Sequence, residues 1–305
     1  MNTPVNVCVV GAGLMGHGIA QTFAQAGHAI FLFDVDKNTL ELAPLLIEKN
    51  LRQMGIDPKP VLDNIELCSD IASAVFSTDF IIEAITENLW LKQALFSSLA
   101  ELAPSHAILA SNTSVIPITD IGEKLSDKVR SRLVGTHWWN PPHLIPLVEI
   151  IKTSFTDDAV FETTFDLILS LGKQPVKVFQ DVPGFIGNRL QHAMWREALY
   201  LVSTGVCDAE TIDLVVKNSF GMRMPFLGPM ENADLVGLKL IQQVHQFIFP
   251  HLCNEQSPRP MIEDLIKQGF LGMESGKGLQ NWLPEKAENV RKNLSNRLID
   301  SLKAK

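Results

Sequence analysis

Residues 5–20 read VNVCVVGAGLMGHGIA, and this stretch decides the fold class. It begins with a short apolar run without alternation, which is typical of a strand buried on both faces of a sheet. Three glycines in a Gly-x-Gly-x-x-Gly frame follow and lead into a helical pattern. In such a loop the first glycine permits a tight turn, the second admits a pyrophosphate close to the backbone, and the third lets the helix pack on the strand. The residues predicted to bind a dinucleotide are Gly11, Gly13, Leu14, Met15 and Gly16.

An acidic residue, Asp34, ends the next strand-like run, AIFLFD. At this distance from the glycines, a carboxylate accepts hydrogen bonds from the ribose hydroxyls of NAD and repels the additional phosphate of NADP. Turn glycines alone produce many matches to the motif, but the strand before it, the helix after it and the terminal acid together favour nucleotide binding. We therefore predict NAD as the cofactor. We expect His17, inside the loop, to lie on the helix surface.

Similar short apolar runs alternate with helical patterns through the first part of the chain. The further runs are AIFLFD, IELCSD, FIIEAI, AILASNT, RLVGTHW, LVEIIK and PVKVF. Strands of this kind, with helices crossing between them, predict a mostly parallel sheet. Beyond Pro183-Gly184 the strand signals vanish and long helical patterns begin. We predict a Rossmann-like α/β domain at residues 1–182, followed by an all-helical domain at residues 183–305.

The first long helical stretch after this boundary reads GFIGNRLQHAMWREALYLVSTG. Its apolar residues cover more than one face, so we expect the helix to be buried between domains or between subunits. A homo-oligomer is the corresponding expectation.

The composition excludes several classes of function. A chain of 305 residues with 46% hydrophobic residues is long and apolar enough for one large or two ordinary globular domains. A net charge of −8 offers no basic surface for nucleic acid. No apolar run approaches the roughly 20 residues that cross a bilayer, and the first residues lack a signal-peptide pattern, so we expect a cytoplasmic protein without membrane partners. The four cysteines form no Cys-x-x-Cys pair, and we predict no metal site.

Residues 134–149 read VGTHWWNPPHLIPLVE and contain two candidate catalytic side chains. His137 falls at the end of a predicted strand, on the carboxyl edge where open parallel sheets bind ligands. Glu149 lies in the next apolar run, where an unpaired carboxylate is costly to bury. If Glu149 accepts a hydrogen bond from one imidazole nitrogen, the other nitrogen is free to take a proton from a substrate hydroxyl. The alternative is a buried pair that merely satisfies its polar groups.

Two further polar residues point to the same site. Ser114, in the SNTS segment after the run AILA, can donate to a substrate oxygen, and Asn188 can do so from the predicted second domain. That arrangement places the reaction in a cleft between domains. The alternative is that both residues only cap strand ends and helix starts.

Seven segments resemble the L-3-hydroxyacyl-CoA dehydrogenase family in order over nearly the whole chain: GAGLMGHGIA, DFIIEAITENL, SNTS, GTHWWNP, PLVEII, DVPGFIGNR and GPMENADLVGL. The resemblance implies a Rossmann-like domain, a helical domain that forms a dimer, and NAD as hydride acceptor. It implies His137 as base, Glu149 as its orienting partner, and Ser114 and Asn188 as substrate-side groups. The nicotinamide-side contacts that it implies are Glu87, Lys92 and Asn140. From their positions alone, Glu87 and Lys92 would be ordinary charges on a helix surface.

The departures from the family concern the substrate. Family members that bind coenzyme A carry a lysine-rich helical stretch where residues 50–64 read NLRQMGIDPKPVLDN. The aromatic pair after the histidine is enlarged to Trp138-Trp139. The segments NPPHLIPLVE and GMRMPFLGP resemble the branch that contains lambda-crystallin, which is L-gulonate 3-dehydrogenase, and the carnitine dehydrogenases. In the second segment Arg223 can pair with a free substrate carboxylate, and its alternative is a surface arginine or a dimer-interface ion pair.

The predicted function is an NAD-dependent dehydrogenase that oxidises the 3-hydroxyl of an L-3-hydroxy acid or its thioester, with a compact free acid favoured. A 3-hydroxyacyl-CoA dehydrogenase of fatty-acid metabolism is the alternative. The 6-phosphogluconate-type dehydrogenases use a lysine base on the helix after the boundary, and the absence of lysine from GFIGNRLQHAMWREALYLV excludes them. A non-catalytic NAD-binding structural protein is an alternative of another class, against which the intact His137–Glu149 pair argues.

Overall fold

The computed structural model describes residues 4–303. Residues 1–3 and 304–305 lie outside the described residues. They are the ends of the two predicted domains, and residues 1–3 are part of the segment in which no signal-peptide pattern was found. Within the described chain, eight strands form one sheet in the order β3-β2-β1-β4-β5-β6-β7-β8. They are β1 Asn6–Val10, β2 Ala29–Phe33, β3 Ile65–Leu67, β4 Phe80–Glu83, β5 Ile108–Ser111, β6 Leu133–Trp138, β7 Leu147–Ile151 and β8 Gln174–Val178.

Each strand overlaps one of the predicted apolar runs, so the mostly parallel sheet is confirmed. Strands β1 to β6 are parallel to one another, β7 runs antiparallel to β6, and β8 runs parallel to β7. The order of the first six is that of a Rossmann sheet, in which the chain switches direction between β1 and β4.

Helices cover both faces of this sheet. They are α1 Gly16–Gln25, α2 Lys37–Met54, α3 Lys59–Leu62, α4 Ile71–Val75, α5 Leu89–Leu102, α6 Ile118–Ile121, α7 Asp127–Arg130 and α8 Asp158–Ser170. Because side chains of a strand alternate between faces, β1 contributes Val7 and Val9 to one apolar cluster and Cys8 and Val10 to another. The central strands are therefore buried on both faces, which explains why they read as continuous apolar runs, whereas the edge strands β3 and β8 are partly exposed.

The remaining helices begin at residue 187. They are α9 Gly187–Ser203, α10 Ala209–Lys217, α11 Pro229–Val236, α12 Leu238–Ile248, α13 Pro260–Lys267 and α14 Pro284–Lys303. Short 3-10 helices lie at Phe220–Met222 and Phe249–His251. The predicted helical region is confirmed. Three apolar residues of α9 are exposed in the single chain, Leu190, Met194 and Trp195, and the burial of this helix against another subunit stays a prediction.

The chain forms two compact units. The first consists of the residues up to Asn188 together with those from Leu298 onwards, and the second runs from Arg189 to Arg297. The division lies six residues beyond the predicted boundary at residue 182. Phe185 belongs to an apolar cluster on the sheet, and backbone amides of residues 186 and 187 bond to a side chain of β7, so the segment after Pro183-Gly184 remains with the first unit. No helix within residues 4–303 is both long and apolar enough to span a bilayer.

Candidate active site

The predicted site residues follow the carboxyl ends of neighbouring parallel strands. Gly11 follows β1, Asp34 follows β2, Glu87 follows β4, Ser114 follows β5 and Asn140 follows β6. Because parallel strands end at the same edge of a sheet, these loops share one edge, on both sides of the β1–β4 switch. The topology therefore gathers these five predicted site residues in the first unit.

The glycine loop has the geometry that each glycine was predicted to provide. Gly11 adopts a φ of +101°, and a Cβ there would lie 2.6 Å from the Ala84 carbonyl oxygen. A Cβ on Gly16 would lie 1.6 Å from the Gly11 carbonyl oxygen, so helix α1 approaches the strand too closely for any side chain. A Cβ on Gly13 would meet no atom within 4 Å. The loop thus leaves open space where a pyrophosphate would lie against its backbone.

His17 does not lie on the helix surface, and that prediction was wrong. Its side chain is buried, with Nδ1 donating to the Gly13 carbonyl oxygen at 2.6 Å. Burial lowers the pKa of the His17 imidazole, although the bond to Gly13 opposes the shift. His17 therefore stiffens the glycine loop as a neutral side chain. Leu14 is exposed and Met15 is partly buried against the core, and their cofactor contacts stay predictions.

Asp34 is anchored to the same loop. Its Oδ2 accepts from the backbone amide of Ala12 at 2.7 Å and its Oδ1 from that of Asp36 at 2.8 Å. Each carboxylate oxygen has a second lone pair, so Asp34 can accept ribose hydroxyls without releasing the loop. Its choice of NAD over NADP stays a prediction.

His137 and Glu149 form the pair that the sequence suggested. They are opposite each other in the antiparallel register of β6 and β7, and His137 Nδ1 lies 2.7 Å from Glu149 Oε2. Only 3% of His137 and 1% of Glu149 is exposed. Because an ionised carboxylate can only accept, Nδ1 carries the hydrogen and Nε2 keeps a free lone pair. The pair has the geometry of a general base and its orienting partner.

The second oxygen of Glu149 fixes the start of helix α9. Oε1 accepts from the backbone amides of Ile186 at 2.8 Å and Gly187 at 3.0 Å. Burial alone would raise the pKa of the Glu149 carboxyl, but the hydrogen bonds from His137 and the two amides outweigh it and lower that pKa. The carboxylate is therefore ionised at neutral pH.

A turn with left-handed backbone brings these amides to Glu149. Gly184 has a φ of +75° and Phe185 a φ of +50°. Positive φ is uncommon for a non-glycine residue and is strained for a bulky one, so it persists only where the surroundings fix it. Here the Phe185 ring is buried and packs against the imidazole of His137 at a centroid distance of 5.5 Å.

Asn188 faces the free nitrogen of the histidine. Its Nδ2 lies 3.5 Å from His137 Nε2 and donates to the backbone carbonyl of Ser114 at 2.9 Å. The longer contact is at the limit of a hydrogen bond, so a substrate oxygen can replace it. All three residues lie in the first unit, and a reaction between two domains stays a prediction. The roles of the Ser114 hydroxyl and of Asn140, both in exposed residues, also stay predictions.

Lys92 is not an ordinary surface charge but is buried in an ion pair, and its contact with nicotinamide stays a prediction. Its Nζ lies 2.6 Å from Glu83 Oε1 and 3.3 Å from Glu87 Oε2, and both Lys92 and Glu83 are fully buried. Glu83 also accepts from the Ser111 hydroxyl at 2.6 Å. Sequence analysis missed Glu83 and Ser111. The available signal was an acid that ends the otherwise apolar strand FIIE.

Glu87 holds the loop that follows β5. Its Oε1 accepts from the Thr113 hydroxyl at 2.7 Å and from the backbone amides of Ser114 at 2.9 Å and Val115 at 3.0 Å. Burial raises the pKa of its carboxyl, but these bonds and the charge of Lys92 outweigh it and lower that pKa. Glu87 thus positions the backbone of Ser114, and its contact with nicotinamide stays a prediction.

Arg223 lies in the second unit, directly after the 3-10 helix Phe220–Met222, and is exposed. Its pairing with a substrate carboxylate stays a prediction. Within residues 4–303, no group of three or more His, Cys, Asp or Glu side chains is arranged to hold a metal ion.

Comparison with known proteins matches both parts of the chain to the same family. The model of the 3-hydroxyacyl-CoA dehydrogenase NAD binding domain matches residues 6–182, and that of the C-terminal domain of the same enzymes matches residues 184–282. The chain is 34% identical over 298 residues to a 5-formyl-3-hydroxy-2-methylpyridine 4-carboxylate 5-dehydrogenase of Mesorhizobium japonicum, covering 96% of both chains. It is 37% identical over 295 residues to the mitochondrial hydroxyacyl-coenzyme A dehydrogenase of Rattus norvegicus, covering 91% of both.

A solved structure agrees with the first of these relatives. The crystal structure of a 5-formyl-3-hydroxy-2-methylpyridine 4-carboxylic acid 5-dehydrogenase, described as an NAD+-dependent dismutase, superposes with a TM-score of 0.90 at 32% identity. The match covers 99% of this chain and 98% of that one.

Proposed function

The chain belongs to the 3-hydroxyacyl-CoA dehydrogenase family and is an NAD-dependent oxidoreductase that acts on a hydroxyl group, and we propose that its substrate is a compact hydroxy acid with a free carboxylate. The observation that carries the proposed chemistry is the buried His137–Glu149 pair with its free Nε2. Membership of the lambda-crystallin and carnitine dehydrogenase branch is part of the proposal.

In the proposed oxidation, His137 Nε2 takes the proton of the substrate hydroxyl as the carbonyl forms. The glycine loop and Asp34 would hold NAD, which would supply the acceptor for the hydride of the carbon that bears the hydroxyl. Glu149 keeps Nδ1 protonated and stabilises the imidazolium that results. A base of this kind contributes roughly 10²–10⁴ in rate.

The preference for a compact acid is supported by the charges of residues 50–64. This stretch contains two cations, and each has a carboxylate partner at helical spacing. Arg52 lies 2.6 Å from Glu48, and Lys59 lies 2.8 Å from Asp63. The stretch therefore offers only two cations to the phosphates of coenzyme A, and each of them is shared with a neighbouring carboxylate. The name of the Mesorhizobium relative includes a free carboxylate on a small ring, which supports a compact, carboxylated substrate, although the name places the dehydrogenation at the 5-formyl position.

A second candidate is a 3-hydroxyacyl-CoA dehydrogenase of fatty-acid metabolism. It is favoured by the similarity to the rat hydroxyacyl-coenzyme A dehydrogenase over 91% of both chains. The proposed proton transfer to His137 is the same for both candidates, so only the substrate separates them.

The deciding experiment measures NADH formation with matched pairs of 3-hydroxy substrates, each offered as the free acid and as the coenzyme A thioester. The formyl-pyridine carboxylate named for the Mesorhizobium relative is assayed beside them. Higher kcat/KM with free acids supports the proposal, and higher kcat/KM with thioesters refutes it in favour of the second candidate. The His137→Ala variant is the control, because it should lose turnover while NAD affinity stays nearly unchanged.

We also propose that two copies of the chain associate through the second unit. Several large apolar side chains there are more than half exposed: Leu214, Met222, Met224, Phe226, Met230, Leu235, Leu238 and Phe247. Exposed apolar surface on this scale marks an interaction site. Sedimentation equilibrium of the purified protein tests the proposal, and a monomer at micromolar concentration contradicts it.

A further inference from the structure

We propose that Trp139, held in place against Gly187, is a size filter beside the catalytic histidine that restricts the chain length of the substrate. The inference rests on the proposed function and narrows its substrate class. Trp139 belongs to the first unit, as do His137, Phe185, Gly187 and Asn188, so the whole filter lies within one compact body.

The two adjacent tryptophans have different surroundings because Trp138 belongs to β6 and Trp139 is the first residue beyond the strand. Trp138, the last residue of β6, is buried in the apolar cluster that includes Phe23, whose ring lies 6.0 Å away between centroids. The indole of Trp139 instead packs against the imidazole of His137, with centroids 5.3 Å apart. One tryptophan therefore stabilises the core, whereas the next one borders the candidate base.

Trp139 is the least buried member of the group around the imidazole. The other side chains with a described contact to His137 are all buried: Glu149, Phe185 and Asn188. Trp139 is only partly buried. On this proposal, a substrate that reaches Nε2 passes the indole, and the ring limits the space beside its hydroxyl carbon.

Gly187 prevents the indole from yielding easily. A Cβ on Gly187 would lie 2.4 Å from Trp139 Cζ2 and 3.2 Å from Cε2, so helix α9 begins in direct contact with the ring. The φ of Gly187 lies outside the left-handed region, and its backbone alone would tolerate alanine. The indole is thus the reason why this position needs glycine, and the start of α9 is a wall behind the ring.

The test compares kcat/KM for free 3-hydroxy acids with four to eight carbons. We expect the wild-type enzyme to favour the shortest acid, and Trp139→Phe to raise the ratio of the eight-carbon to the four-carbon value by about tenfold or more, since one methylene in a tight apolar pocket is worth roughly 10–200-fold. Trp138→Phe is the matched control, because it shortens the neighbouring indole on the other face of the sheet. It should leave the ratio unchanged.

A double-mutant cycle tests the contact itself. Gly187→Ala should lower kcat, because the new methyl group displaces the Trp139 indole, which packs against His137. In Trp139→Phe/Gly187→Ala the atoms nearest to the methyl group are absent, so kcat should recover towards that of Trp139→Phe alone. If the decrease of kcat in the double variant equals the product of the decreases in the two single variants, Trp139 and Gly187 do not act together and the proposed filter is overturned.

The outcomes separate the filter from the proposed function. Wild-type activity on free acids with an unchanged chain-length ratio in Trp139→Phe overturns the filter alone. No activity on any free acid overturns the proposed substrate and the filter with it. Circular dichroism detects a folding defect in Trp139→Phe. In that case a second variant, Trp139→Leu, is used, and the rate at which diethyl pyrocarbonate modifies its His137 is compared with the rate in the wild type. A rate equal to that of the wild type overturns the filter, and a faster rate supports it.

Discussion

Replacement of Glu149 by glutamine tests the general base without removing its neighbours. The glutamine oxygen can still accept from the backbone amides of Ile186 and Gly187, so the start of α9 should keep its position. The amide nitrogen of the glutamine, however, would face His137 Nδ1. Both nitrogens carry hydrogens, so two donors would oppose each other. The imidazole must then move its hydrogen to Nε2, and Nε2 can no longer take the substrate proton.

The expected loss follows from the contribution of such a base. We expect kcat to fall about 10²–10⁴-fold, which corresponds to about 3–5 kcal/mol of transition-state stabilisation. The Kd of NAD should change little, because the glycine loop follows a different strand. Stopped-flow NADH formation gives kcat, and fluorescence titration gives the Kd.

The matched control is Glu162→Gln on helix α8, whose carboxylate pairs with Lys177 at 2.6 Å on the surface. It should behave like the wild type, since an exposed ion pair contributes little to stability. A kcat for Glu149→Gln within threefold of the wild-type value would refute the assignment of His137 as a base oriented by Glu149.

Three further predictions concern the cofactor, the substrate and the pH dependence of stability. Asp34→Ala should reduce the preference for NAD over NADP by more than about tenfold, as the ribose hydroxyls lose their acceptor; an unchanged ratio of kcat/KM values would mean that another residue contacts the ribose. Arg223→Ala should raise the KM for a free acid about tenfold with little change in kcat, and an unchanged KM in steady-state assays removes Arg223 from the site. Lys173 donates to the carbonyls of Pro142 and Ile145, and its burial lowers the pKa of its ammonium from 10.5 to about 8. Because the unfolded chain binds this proton more tightly, the free energy of unfolding should rise by up to about 3 kcal/mol between pH 8 and 10.5 through this group. Lys173→Met should lose that rise in urea unfolding and the exposed Lys239→Met should keep it, whereas equal pH slopes would contradict the assignment.

The strands and the site edge were predictable because they depend on local pattern. Strands buried on both faces are apolar throughout, so their runs stand out from the helical segments between them. Parallel strands share a carboxyl edge, so residues that end such runs converge without further information. Asp34 and His137 were found in this way, and the contact of His137 with Glu149 followed from the cost of burying an unpaired carboxylate.

The burial of Lys92 and His17 was not predictable from local pattern. A lysine on a helix usually extends into water, and Lys92 is buried only because Glu83 ends β4 beneath it. The partner of His17 is the Gly13 carbonyl, four residues earlier at the start of α1, and the sequence does not indicate that the imidazole folds back onto it. Both positions depend on a buried polar partner that the surface pattern of a helix does not indicate.

The position of the division between the units has the same origin. Pro183-Gly184 suggests a boundary because these residues interrupt regular structure, and the chain does turn there, with left-handed backbone at Gly184. The residues after the turn remain attached to the first unit, because the amides of Ile186 and Gly187 donate to Glu149. The first unit therefore continues to Asn188.

Glu149 therefore has two functions, which its two oxygens divide between them. Oε2 fixes the tautomer of His137, and Oε1 fixes the first turn of α9, from which Asn188 reaches towards Nε2. The orientation of the base and the position of the substrate-side amide thus depend on one ionised carboxylate. Since Gly187 contacts both this carboxylate and the Trp139 indole, the same turn also limits the space beside the reacting carbon. Movement of the turn, which begins with the left-handed backbone of Gly184 and Phe185, would therefore disturb proton transfer and substrate fit together.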